Sequence, residues 1–78
     1  MHLRIISPAK PLFEGEVERV SLPGTKAPFV VLRGHAPLIS SLTEGKVGYT
    51  TPTGEEGEVA ISGGFVEVKE NNVVVCTE

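Results

Sequence analysis

Gly64-Phe65-Val66-Glu67-Val68-Lys69-Glu70-Asn71-Asn72-Val73-Val74-Val75-Cys76 is the stretch that decides the fold. Its first limb alternates, with Val66 and Val68 on one side and Phe65, Glu67 and Lys69 on the other, as in a half-buried β-strand. Asn71-Asn72 reads as a two-residue turn, because asparagine tolerates the positive φ that a type I′ turn needs at both positions. Pairing outward from that turn sets Glu70 against Val73, Lys69 against Val74, Val68 against Val75 and Glu67 against Cys76. Val66, Val68, Val73 and Val75 then share a core face, and Phe65, Glu67, Lys69, Val74 and Cys76 share the opposite one. That second face mixes a phenylalanine and a valine with charges, a composition that suits a partner better than bulk water.

Working outward, the same period recurs. Leu3 and Ile5 alternate with His2 and Arg4 until Pro8 and Pro11 close the strand. Apolar residues fall on odd positions from Phe13 to Val17, with Glu14, Glu16 and Glu18 facing the other way as a solvated strand face. At Val20 and Leu22 the parity becomes even, which predicts a β-bulge or a change of sheet. Phe29-Val30-Val31-Leu32 is apolar throughout and predicts a strand covered on both faces. Val47, Tyr49 and Thr51 alternate again, Pro52 to Gly57 is an exposed hairpin loop, and Val59 and Ile61 resume the pattern. No segment holds a helical period. Short strands at roughly 8–12-residue spacing predict an all-β fold, a small β-sandwich occupying residues 1–78 as one domain.

Composition excludes several functions. Seven basic residues are scattered along a chain of net charge −3, and no basic stripe or aromatic platform forms, so no nucleic-acid partner is expected. One cysteine permits no internal disulfide and fits a reducing compartment. No apolar run approaches the roughly 20 residues that span a bilayer, and the N-terminus lacks a signal h-region, so no direct membrane insertion is expected. His35, held between Gly34 and Pro37, is the one residue that suggests catalysis. The chain contains no aspartate to orient it, and only ordinary serines such as Ser40, Ser41 and Ser62 to serve as nucleophile. A histidine bonding loop backbone is the simpler reading. His2, His35 and Cys76 lack metal-ligand spacing, and Gly63-Gly64 is followed by no P-loop lysine. Neither a metal nor another cofactor is expected, and Gly63-Gly64 predicts a bulge or tight strand crossing.

Four ordered motifs carry a family resemblance: Leu12-Phe13-Glu14-Gly15-Glu16-Val17-Glu18, Leu22-Pro23-Gly24-Thr25, Gly34-His35-Ala36-Pro37-Leu38-Ile39 and Ser62-Gly63-Gly64-Phe65-Val66-Glu67-Val68. Together they span nearly the whole chain, which resembles the epsilon subunit of bacterial F-type ATP synthase. The resemblance implies an N-terminal β-sandwich of about ten strands. It implies a non-catalytic rotor subunit at the foot of the central stalk, peripheral on the cytoplasmic face of the inner membrane. There it would bind the gamma subunit, rest on the c-subunit ring, and couple ion-driven rotation to ATP synthesis. The family usually adds a hairpin of two α-helices. This sequence stops before it, as a natural short form or as a truncated chain. Without those helices no nucleotide is expected, and if they are naturally absent inhibition through them is not available. In the matching loop the family tends to carry an acidic residue and glycines where this chain has Ala27-Pro28-Phe29-Val30, and proline where it has Arg33.

The expected gamma interface is the more apolar one, around Phe65, Val74 and the Ser62-Gly63-Gly64 bend. The expected ring contact is a polar loop built from Pro28, Arg33, Gly34 and His35. The alternative is a stand-alone β-sandwich that binds a peptide or small ligand.

Overall fold

The computed structural model describes residues 1–78 and contains only strands and their connections. In chain order they are β1 (His2–Ile6), β2 (Pro11–Glu16), β3 (Arg19–Leu22), β4 (Phe29–Leu32), β5 (Leu38–Leu42), β6 (Gly45–Thr50), β7 (Glu56–Ile61), β8 (Gly64–Lys69) and β9 (Asn72–Thr77). Nine strands stand where the family resemblance implied about ten, in two sheets. The five-stranded sheet runs β2-β1-β9-β8-β5 and the four-stranded sheet runs β4-β3-β6-β7. All pairings are antiparallel except β1 with β9, which lie parallel.

The core lies between the sheets and is built from one parity of each strand. Leu3 and Ile5, Val20 and Leu22, Val31, Val47, Val66 and Val68, and Val73 and Val75 are all buried. Full burial of a valine or leucine side chain contributes roughly 1.5–3 kcal/mol, so these branched residues supply most of the driving force. Phe13 from one sheet and Tyr49 from the other close the side of the core, ring centroids 4.1 Å apart. The predicted parity switch is a change of sheet: Val17 is buried, and the chain crosses there from β2 to β3.

The hairpin loop after β6 ends before Glu56 rather than at Gly57, because Glu56 and Gly57 already pair with Thr50 and Tyr49. Two further expectations need correction. The turn after β8 sits one residue earlier than predicted. Glu70 and Asn71 carry the positive φ values, 52° and 62°, and Lys69 faces Asn72. Val68 therefore opposes Val73 and Val66 opposes Val75, a shift of two residues on β9 that leaves every side chain on its predicted face. The second correction concerns β4. In a sandwich of two sheets each strand has one covered face, so only Phe29 and Val31 turn inward, while Val30 and Leu32 on the outer face are 38% and 55% exposed.

Ser62-Gly63-Gly64 is a tight crossing from β7 in one sheet to β8 in the other. Gly64 has φ of 140°, and a Cβ there would overlap the Cys76 carbonyl oxygen. Gly63 is buried in the same bend, and its carbonyl accepts the Glu78 N–H at 3.2 Å.

Candidate functional site

The outer face of the five-stranded sheet holds the apolar surface anticipated from the hairpin. Phe65 on β8 lies opposite Cys76 on β9, and Glu67 lies opposite Val74. Phe65 is 50% exposed and Val74 is half-buried. Ile39 on the neighbouring β5 faces Glu67 and is 75% exposed, the most open large apolar side chain of the chain. Sequence reasoning missed Ile39. The signal was present in the alternation of Leu38-Ile39-Ser40-Ser41-Leu42, whose ends Leu38 and Leu42 face inward.

The polar end of the same face is a charge cluster. His2 Nε2 lies 2.9 Å from Glu14 Oε2, Arg4 Nε is 3.9 Å from Glu14 Oε1, and the N-terminal amine is 3.2 Å from Glu16 Oε2. These exposed pairs order the β1–β2 edge and contribute little to stability.

The structure does not bring Pro28 together with Arg33, Gly34 and His35. Pro28 precedes β4 and Arg33 follows it, so the two groups stand at opposite ends of the sandwich. The Pro28 end carries an uncovered loop, with Thr25, Lys26, Ala27 and Pro28 all exposed. Its base is fixed. Gly24 is buried and bridges Leu42, and a Cβ on it would press into the Ala27 carbonyl and the Phe29 ring. The Ser62-Gly64 bend belongs to this end too, since Gly64 pairs with Leu42.

The Arg33-Gly34-His35 corner lies at the other end and is strapped to the chain. Gly34 N–H donates to Asn71 Oδ1 at 2.7 Å, and the Asn71 carbonyl accepts the His2 N–H at 2.9 Å. Asn71 thus joins three segments: the N-terminus, the β8–β9 turn and the β4–β5 corner. His35 N–H donates to the Leu32 carbonyl at 3.1 Å, and its ring Nδ1 donates to the Ala36 carbonyl at 2.7 Å. No carboxylate or hydroxyl bonds the ring, so the geometry holds His35 as a corner.

Two recesses mark the surface. One, about 350 Å³, lies over Gly48 on the outer face of the four-stranded sheet, between Arg19 and Ser21 on one side and Glu56 and Glu58 on the other. The second, about 390 Å³, runs beside β5 between Pro37, Leu38 and Ile39 and the β8 residues Glu67, Val68 and Lys69. The latter adjoins the apolar patch.

Comparison with known proteins gives this arrangement a family. The model of the ATP synthase delta/epsilon chain β-sandwich domain matches residues 1–78, the whole length described. The chain belongs to the ATP synthase delta/epsilon family. It is 42% identical over 76 residues to the ATP synthase epsilon chain of Chlorobaculum tepidum, covering 97% of this chain and 86% of that protein. It is likewise 42% identical to the epsilon chain of Desulfitobacterium hafniense, where it spans only 57% of the relative's length. Within the solved mitochondrial ATP synthase of Euglena gracilis, one chain matches the fold with a TM-score of 0.88 at 23% identity, over 96% of this chain and 48% of that one. At this identity the likeness establishes the sandwich fold alone. The family's β-sandwich is the whole of what is seen here, and no helix is present that is long and apolar enough to cross a membrane.

Proposed function

We propose that this sandwich is a non-catalytic rotor element of an F-type ATP synthase, joining the gamma subunit to the c-subunit ring on the cytoplasmic face of the membrane. The observation that carries the reading is the apolar patch of Ile39, Phe65 and Val74 on the outer face of the five-stranded sheet, in a chain of the epsilon family. A subunit that transmits torque needs a broad, partly apolar attachment to one partner, and a stiff body behind it. Two sheets packed on branched side chains supply that stiffness. Gamma binds the patch and the adjoining Ser62-Gly63-Gly64 bend. The ring contact lies at the same end, through the exposed Thr25–Pro28 loop, which is uncovered yet firmly based on buried Gly24. Gly34 and His35 are tied to Asn71, Leu32 and Ala36, and with the exposed Arg33 they form the corner at the opposite end of β4, away from that contact.

The relatives' membership of a membrane-bound ATP synthase supports the peripheral location. The test is assembly. Phe65→Glu places a charge in the patch and weakens co-purification with gamma, whereas unchanged assembly would remove the patch from the interface. Cysteines placed singly at Pro28 and His35, opposite a cysteine in the c-subunit polar loop, separate the two ends. Cross-linking is expected from Pro28, and efficient cross-linking from His35 alone would reverse the assignment.

A further inference from the structure

Each sheet of an open sandwich ends in strands with unpaired backbone groups, and such edges recruit foreign strands unless they are protected. Three of the four edges here carry protection. β2 begins with Pro11, carries Glu14 and Glu16, and shifts register opposite Ile5 and Ile6. β7 presents Glu56 and Glu58, and β4 is four residues long between Pro28 and Arg33. β5, Leu38-Ile39-Ser40-Ser41-Leu42, has no charge, no internal proline and an unbroken register against β8.

Part of that edge is already covered by the chain itself. Thr25 N–H donates to the Ser41 carbonyl at 3.1 Å, and Gly24 bridges Leu42. In an antiparallel ladder, alternate residues project both backbone groups to the same side. The Thr25 bond at Ser41 therefore shows that Ile39 also turns its N–H and C=O to the open side. No intrachain partner covers them there. The most exposed apolar side chain thus sits on the one unprotected and uncovered piece of edge, beside the recess whose apolar wall is Pro37, Leu38 and Val68 and whose charged rim is Glu67 and Lys69.

We propose that an extended segment of the gamma subunit adds as a strand to β5, exchanging backbone hydrogen bonds with Ile39 and setting an apolar side chain in the Pro37–Leu38–Val68 recess. This rests on the stalk reading above and specifies how the partner is held: strand addition extends the five-stranded sheet, so the patch and the edge form one continuous surface. A second copy of this chain fits the edge less well. Symmetric β5–β5 pairing centred on Ile39 would oppose Ser41 to Pro37, which has no N–H to donate, and Thr25 already occupies the Ser41 carbonyl.

The test compares wild type, Ile39→Pro and Ile39→Lys for equilibrium binding to purified gamma subunit, together with amide exchange at Ile39. Removing the edge donor, or charging the edge, is expected to weaken binding about tenfold or more, and wild-type binding is expected to protect the Ile39 amide. Thermal melting of each variant alone checks folding; should Ile39→Pro fail to fold, Ile39→Lys and the exchange measurement carry the decision. Wild-type binding with an unprotected Ile39 amide, or folded variants that bind like wild type, would overturn strand addition and leave the stalk reading intact. Absence of any wild-type binding to gamma would overturn both. Self-association that protects Ile39 in the isolated chain would assign the edge to a second copy and likewise overturn the proposal.

Discussion

Replacing Gly64 by alanine tests the hinge on which the two sheets join. The φ of 140° lies where side-chain-bearing residues rarely go, and a strained backbone of this kind costs about 1–3 kcal/mol. The new Cβ would also overlap the Cys76 carbonyl oxygen and lie 3.0 Å from the Thr77 Cα, both backbone atoms of the paired strand β9. Relief requires β8 to move from β9 at this end, disturbing the Gly64–Thr77 and Gly64–Leu42 pairings. Two weakened backbone hydrogen bonds add about 1–3 kcal/mol, for a sum of about 2–6 kcal/mol. A domain of this length has a total stability of roughly 4–12 kcal/mol, so the change removes a large share of it. With about 4–8 °C per kcal/mol for a domain of this size, the melting temperature followed by circular dichroism falls by at least about 8 °C. Gly34→Ala is the control. Its φ of 78° is also left-handed, but a Cβ there meets nothing within 4 Å, so the drop is confined to the conformational term, about 1 kcal/mol. Equal effects of the two substitutions, or a Gly64→Ala melt within a few degrees of wild type, would refute the overlap argument.

Other consequences follow from the same geometry. Asn71→Gly keeps the left-handed turn but loses the bond to Gly34, and costs about 1 kcal/mol in urea unfolding, while Asn71→Ala loses both and costs more. Val66→Ala opens a cavity at a fully buried site between the sheets and destabilises by about 1–3 kcal/mol, whereas Val30→Ala on the open face of β4 changes the isolated chain by less than about 0.5 kcal/mol. Lys46→Ala breaks the 3.1 Å pair with Glu58, both more than half exposed, and shifts stability by no more than about 0.5 kcal/mol. His35→Ala lowers the melting temperature modestly through the lost Ala36 bond, and leaves ATP synthesis by the assembled enzyme close to wild type.

The faces of the strands were legible in the sequence, and the registers were not. Val66, Val68, Val73 and Val75 are buried as their alternation predicts, and Phe65 and Val74 point outward. A two-residue slip preserves that parity, so alternation could not choose between a turn at Asn71-Asn72 and one at Glu70-Asn71. Long-range contacts choose. The observed turn aligns all four valines in direct pairs, and places Asn71 where it bonds Gly34 and His2. The parallel pairing of β1 with β9 joins residues more than sixty positions apart and has no local signature. Phe29–Leu32 misled for a different reason. An apolar run reports that a strand is covered, but not whether its own chain or another molecule covers it. Exposed Val30 and Leu32 show that this chain leaves the outer face of β4 open. The same ambiguity hid Ile39, which in isolation reads as one more core residue. Pro28 and Arg33 are five positions apart in sequence yet separated by a strand. Motif proximity along the chain therefore suggested one loop where there are two ends.

The lone cysteine offers the most direct test of the central claim, that the outer face of the five-stranded sheet is where the stalk attaches. Cys76 lies on that face, half-buried, directly opposite Phe65. A short photoactivatable maleimide on Cys76, introduced before assembly and activated in the complete enzyme, is predicted to yield a covalent product with gamma and none with the c subunits. Full labelling with normal assembly but no gamma product, or a product with the c subunits instead, would contradict the account.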